Sequence, residues 1–374
     1  MLLTAFICLL FLVSPVLSQD SVVERHERFL SYLPEGSYTS ILYINLSAIR
    51  AAGIVRDHPE LFGVVKTNVG LPFPEVEADY RYSATPFSAG KSIREVRKAK
   101  ASGERGSRIT VIGPADQMSV VEIPGLVMHI EEALKSGKIF SSGEHIGGAA
   151  VYTTEQILLD ERKTIYFCSP EQDLALICGS TDLLRAMVHA GRGEQPSFVE
   201  SSSYGDLIQY AGDSAQWNIR LMNDMFNSFE TAYIERGEEP ARIDAMERMR
   251  SMRPIAIVNR QEYFEEEYRS TIELIFVDEE AAEKHLQVRI NPKFAIATPI
   301  ENFHPQEMLD FNKKVSSRMP LHRDGNRVIS GSVYTAEDLA EHKRLFEKHA
   351  EFYKNVSEKI KKGEVSKPEI KRKR

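Results

Sequence analysis

From Ile109 to Gly191 the chain passes through short β-branched and aromatic runs broken by two amphipathic stretches, a pattern that few folds satisfy. ITVIG, MSVVEI, GGAAVYTT, TIYFC and LALIC read as strands. Gly125–Ser136 reads as a helix with Leu126, Ile130 and Leu134 on one face, and TDLLRAMVHAG as a second helix closing the run. Strands outnumber helices and do not alternate strictly with them. The pattern therefore predicts an α+β layer arrangement with antiparallel sheet rather than a doubly wound parallel one.

Upstream, a helical stretch at Val22–Leu33 leads into YTSILYINLSAIRAAG, where Ile41, Tyr43 and Asn45 alternate as a strand and a helix starts at Ser47. Leu61–Val69 extends as helix. LPFPEVEADYRYSAT reads as loop then strand, and Lys91–Arg108 as a basic helix followed by a glycine-containing loop. Downstream, SSYGDLIQYAG reads as helix. SAQWNIRLMNDMFNSF then repeats the strand-into-helix order of the opening segment, and YRSTIELIFVDEEAAEKHLQVRI echoes MSVVEIPGLVMHIEEALKSGKI. These echoes predict two diverged halves, the second shorter, with NRVISGSV as its clear later strand.

The resulting plan is a leader at 1–18, a helical lead-in at 19–37, a first half at 38–213, a second at 214–334, a long helix at 335–363 and a basic tail at 364–374. Thr335 is placed to cap the long helix, Leu339, Phe346, Tyr353 and Ile360 recur every seven residues along it, and Gly363 ends it. Docking on the body explains that stripe better than a dimeric coiled coil, because His342 and His349 occupy the complementary core positions.

Met1–Ser18 carries fourteen apolar residues and no charged side chain; Val16 and Ser18 stand where signal peptidase reads small residues before Gln19. The run is short for a membrane span of about 20 residues, so it predicts export, with an uncleaved anchor as the alternative. Asn45-Leu-Ser47 and Asn355-Val-Ser357 match the glycosylation acceptor, which matters in a eukaryotic host only.

Net charge is −7, but Lys354–Arg374 holds nine basic and three acidic residues, so the rest of the chain carries −13. That acidity argues against nucleic acid as a partner. The basic terminus reads either as a solvated extension or as a contact with an anionic surface: lipid, wall polymer or acidic protein.

Motifs with chemistry are near misses. Thr85-Pro-Phe-Ser-Ala-Gly90-Lys91-Ser92 sits between strand and helix as a phosphate loop does, with Ile157–Glu161 as a conceivable metal-side carboxylate, but Thr85 replaces the first glycine and Pro86 follows. Ser88-Ala-Gly-Lys91 is an S-x-x-K without its S-D-N or K-T-G partners. The ten histidines show no metal-ligand spacing, and Glu262–Glu267 lacks the glycine turn of a calcium loop, reading instead as a solvated strand edge. Trp217, beside Ile219 on an alternating strand, reads as core. If Cys168 pairs near Leu174 across the TIYFC–LALIC hairpin, Cys178 faces Thr164, over about 13 Å from Cys168, and the two are free buried thiols. No catalytic, cofactor-binding or metal residue is predicted.

SYLPEGSYTSILYINLSAIRAAGIVRDHPEL and GSTDLLRAMVHAGRGEQPSFVESSSYGDLIQYAGDSAQW resemble exported bacterial proteins of uncharacterised activity, abundant in planctomycetes and related phyla. The resemblance covers about residues 30–220 and rests on structural motifs. It implies an envelope or secreted location and an α+β repeat, and carries over no catalytic residue. The expectation is a non-catalytic envelope or interaction module binding an unknown protein or envelope component without a cofactor. The alternative is an exported enzyme whose active site lies in a groove between the halves.

Overall fold

The structure, a computed structural model, describes residues 26–36, 38–62, 77–86, 118–158, 161–200, 208–209, 212–222, 253–290 and 304–362. The fold is α+β, and the chain divides into two compact units. The first comprises Met1–Ala48, Val65–Ile243 and Ala256–Val258, the second Ile49–Val64, Asp244–Ile255 and Asn259–Arg374.

The first unit holds β1 (Tyr38–Asn45), β2 (Tyr80–Pro86), β3 (Met118–Glu122), β4 (Phe140–Ile146), β5 (Ala149–Leu158), β6 (Glu161–Glu171), β7 (Leu174–Cys178) and β8 (Gln216–Leu221). They lie in the order β8-β1-β2-β3-β7-β6-β5-β4, every pair antiparallel. Helix α1 (Leu126–Lys135) follows β3, and α2 (Thr181–Gly191) follows β7. All five residues of β7 are buried, because the strand is covered on both faces and needs no polar alternation. On one face Ala175 and Ile177 pack with Leu126, Ile130 and Ala133 of α1, while α2 lies against β6 and β7. Burial of Leu126 and Ile130 contributes about 1.5–3 kcal/mol each, and that is what seats α1. Ser180 caps α2 by accepting the Leu183 N–H at 3.2 Å.

In the second unit β9 (Ala256–Tyr263, which enters this unit at Asn259), β10 (Glu267–Ile275), β11 (His322–Asp324) and β12 (Arg327–Thr335) lie in the order β11-β12-β10-β9. Its longer helices are α3 (Glu279–Ile290), α4 (Gln306–Ser316), α5 (Ala336–Lys348) and α6 (Ala350–Lys362). In each unit one strand, β3 or β10, runs on towards a helix and pairs antiparallel with a later strand, β7 or β12, which leads into a helix capped by a hydroxyl, Ser180 or Thr335. What lies between differs, α1 with β4, β5 and β6 in the first unit and α3, α4 and β11 in the second.

Several expectations are corrected. The half placed at 214–334 divides differently, since β8 belongs to the first unit. The strand β4 escaped the sequence pattern because six of its seven residues are exposed, leaving no apolar alternation to detect. Glu262–Glu267 spans the end of β9, the three-residue turn at 264–266 and the first residue of β10, with Phe264 N–H bonded to the Glu267 carbonyl at 2.9 Å. The helix foreseen at 335–363 breaks at His349, where φ is −104° and ψ 14°. The β6–β7 register also differs: Cys178 faces Tyr166 and Cys168 faces Leu176, because a bulge between Cys168 and Glu171 shifts the ladder.

Candidate functional site

Two places in the described residues combine exposed apolar surface with fixed charge. The first is a groove of about 370 Å³ in the first unit. Val127, Ile130 and Leu134 of α1 form one wall, Ala150 and Tyr152 of β5 the floor, and Ser169–Gln172 at the β6–β7 turn the end. Within the bulge that shifts the hairpin register, the Ser169 hydroxyl donates to the Glu171 carbonyl at 2.6 Å. The Asp173 carboxylate accepts the Gly125 N–H at 2.9 Å and its carbonyl the Ile123 N–H at 2.7 Å. The start of α1 and the turn are thereby held as one piece.

Glu171 is held from behind by the segment at 26–33. Tyr32 Oη donates to Oε1 and Arg28 Nη2 to Oε2, each at 2.6 Å. Burial alone would raise its carboxyl, but the Tyr32 and Arg28 hydrogen bonds outweigh that and hold it below the usual range, so it stays ionised at neutral pH. Arg28 also reaches Glu122 at 3.3 Å, so one guanidinium serves two carboxylates. Tyr32 lies on Gly191, where an added Cβ would be 2.2 Å from the ring, so only glycine lets the ring approach.

The second place is the C-terminal helix pair. Thr335 caps α5 in a reciprocal capping box with Asp338, as the sequence predicted. Asp338 is almost fully buried and takes ion pairs from Lys314, at 2.9 Å, and Arg318. Burial pushes its carboxyl up; the Arg318, Thr335 and Lys314 hydrogen bonds more than reverse this and hold it well below the usual range. α4 packs Met308, Phe311 and Val315 with Leu345. At the break Glu307 takes Lys348 at 2.7 Å and His349 at 3.2 Å. Across it Phe346 of α5, 53% exposed, stacks on Tyr353 of α6 at 5.2 Å, and Tyr353 Oη lies 3.3 Å from His304 Nδ1. Phe352, Tyr353 and Val356 lie along one side of α6, with Glu351, Lys354 and Asn355 exposed.

The remaining sequence-selected residues, Asn355 on α6 excepted, stay apart from both places. Trp217 is fully buried, 5.6 Å from His26 and 5.4 Å from Tyr43 between ring centres. Asn45 turns its carboxamide oxygen to the Ala48 N–H at 2.9 Å and so caps the short helix Leu46–Ala51; Asn355 is exposed on α6. Thr85 is buried in β2. Ser88, Gly90, Lys91 and Ser92, the segment Met1–Ser18 and the tail 364–374 lie outside the described residues. Among the described residues no group of three metal-ligating side chains converges, and no helix is long and apolar enough to cross a membrane.

Cys168 and Cys178 are free and buried. Burial pushes both thiols up to about 12, so almost none is thiolate at neutral pH. Iodoacetamide at pH 8 is expected to leave both unmodified in the folded chain and to alkylate both in urea. The thiolate fraction alone slows the folded reaction about 10³-fold. Mass spectrometry of the tryptic peptides checks this, and stoichiometric labelling of either cysteine in the folded chain would contradict it.

No protein-family model matches the chain, and no curated protein does. Among solved structures, crystal form I of TP0453 is similar over 84% of this chain and 95% of its own, at 12% identity and a TM-score of 0.37. Crystal form III of TP0453 is similar over 83% and 96%, at 13% identity and a TM-score of 0.38.

Proposed function

We propose that this is an exported, non-catalytic interaction module that engages an anionic envelope surface through its C-terminal segment. The observation that carries the reading is α6: aromatic and aliphatic residues on one side, lysine on the other, continuing into the most basic stretch of the chain. A helix of that kind lies along an interface, and each cation near an anionic surface contributes about 1 kcal/mol. The strongly acidic remainder is repelled by the same surface, which confines contact to the terminus. The uncharged leader supports export.

Co-sedimentation with vesicles tests the proposal. The chain is expected to bind phosphatidylglycerol vesicles in 50 mM salt, to release in 500 mM, and to ignore phosphatidylcholine, since contact between exposed charges is screened beyond roughly 10 Å at 0.1 M salt. Replacing Lys367, Lys371, Arg372, Lys373 and Arg374 with glutamine leaves α6 intact and should weaken binding at least about tenfold. Equal binding to both lipids, or undiminished binding by the glutamine variant, would overturn the assignment.

A further inference from the structure

We propose that the groove between α1 and the β5–β7 strands of the first unit binds a small organic cation: an ammonium group carrying an aryl or alkyl body. Helix α1 already commits Leu126, Ile130 and Ala133 to the core, yet Val127 and Leu134 remain 46% and 37% exposed. They lie seven residues apart, two turns along one side of the helix, so they form a second apolar stripe that no described core residue covers. That stripe lines the groove, which is open to solvent along one side, and its volume falls within the range of small-ligand sites. An apolar body fits there, with the Tyr152 ring as floor.

Charge selects the rest of the ligand. The groove is lined by two carboxylates, Glu131 and Glu171, and by no lysine or arginine. Glu171 cannot swing away, because Tyr32 and Arg28 each hold one of its oxygens. Arg28 offsets part of the Glu171 charge from 2.6 Å while also reaching Glu122 at 3.3 Å, so the two groove carboxylates together keep a net negative charge. A bound anion would meet two like charges, a neutral body would gain apolar contact alone, and an ammonium would gain both carboxylates and the face of Tyr152. Because the walls are tied through Asp173 to Gly125 and Ile123, little ordering is spent on binding.

Three probes sharing one apolar body test this on the full chain by calorimetry: 2-phenylethylammonium, 3-phenylpropionate and 2-phenylethanol. The ammonium is expected to bind at least about tenfold more tightly than the carboxylate, with the alcohol between them, since one charge reversal acts against two carboxylates. Glu131→Gln should weaken the ammonium about two- to fivefold. Val127→Arg, at an exposed position, should abolish binding without changing thermal unfolding; if that variant unfolds, Glu131→Gln decides. Equal affinity for carboxylate and ammonium, retained affinity in a folded Val127→Arg chain, or no binding of the ammonium by about 10 mM would each overturn the proposal, that limit being an affinity of only about 3 kcal/mol.

Discussion

Trp217→Ala is expected to destabilise the first unit by about 3–5 kcal/mol, the range for truncating a fully buried aromatic. Trp217 is completely inaccessible and packs against the rings of His26 and Tyr43, so its removal leaves a cavity that rigid neighbours cannot fill. Its indole N–H is buried and has no hydrogen-bond partner among the described residues. Phenylalanine therefore discards an unpaired donor along with the second ring, and Trp217→Phe should cost less than half as much as alanine. Urea unfolding followed by far-UV circular dichroism measures both, since fluorescence disappears with the only tryptophan. A cost below about 1 kcal/mol for alanine would show that the site relaxes or that the residue is not core.

Glu273→Ala is expected to cost the second unit a similar amount, about 3–5 kcal/mol, for a different reason. Glu273 is wholly inaccessible inside β10, where Arg260 of β9 and Arg327 of β12 both pair with its carboxylate. Removing one partner of a buried ion set leaves the others desolvated without compensation, which is the expensive case. Arg327 keeps a second carboxylate, Asp324, so Arg260 suffers most, and its Nε already has no hydrogen-bond partner among the described residues. The double replacement Glu273→Leu with Arg260→Leu removes the buried carboxylate together with the half-buried arginine that loses most from its absence, and should recover much of the loss. Thermal unfolding of the single and double variants decides the matter. A double variant no more stable than Glu273→Ala would mean the ion set, not its broken remainder, holds the strands.

Both residues illustrate what could be read beforehand. Trp217 was legible because Trp217 and Ile219 share one face of an alternating strand, and both are buried. Glu273 sits in the same kind of pattern, between Thr271 and Ile275 on the buried face of β10. A charged residue in the buried phase signals a partner, but the partners lie 13 residues before and 54 after it, and no local spacing names them. The groove has the same character. Leu134 read as a core residue of α1 because it continues the spacing of Leu126 and Ile130, yet it is exposed beside the groove. Which of two adjacent apolar stripes faces the core depends on the strands that helix meets. Glu171 carried no sequence signal at all, since its role comes from Arg28 and Tyr32, 143 and 139 residues earlier.

The amino-acid order alone determined the α+β class, most strands and helices of the first unit, the Thr335 cap, the buried thiols and the charge contrast between body and terminus. Those follow from periodicity, capping chemistry and composition, which act over a few residues or over the whole chain without regard to contacts. Only tertiary structure decided the hairpin register, the break at His349, the membership of β8, the buried ion set at Glu273 and the carboxylate-lined groove. Each depends on groups brought together from distant parts of the chain, where the energy of a contact lies in a partner that sequence spacing does not reveal.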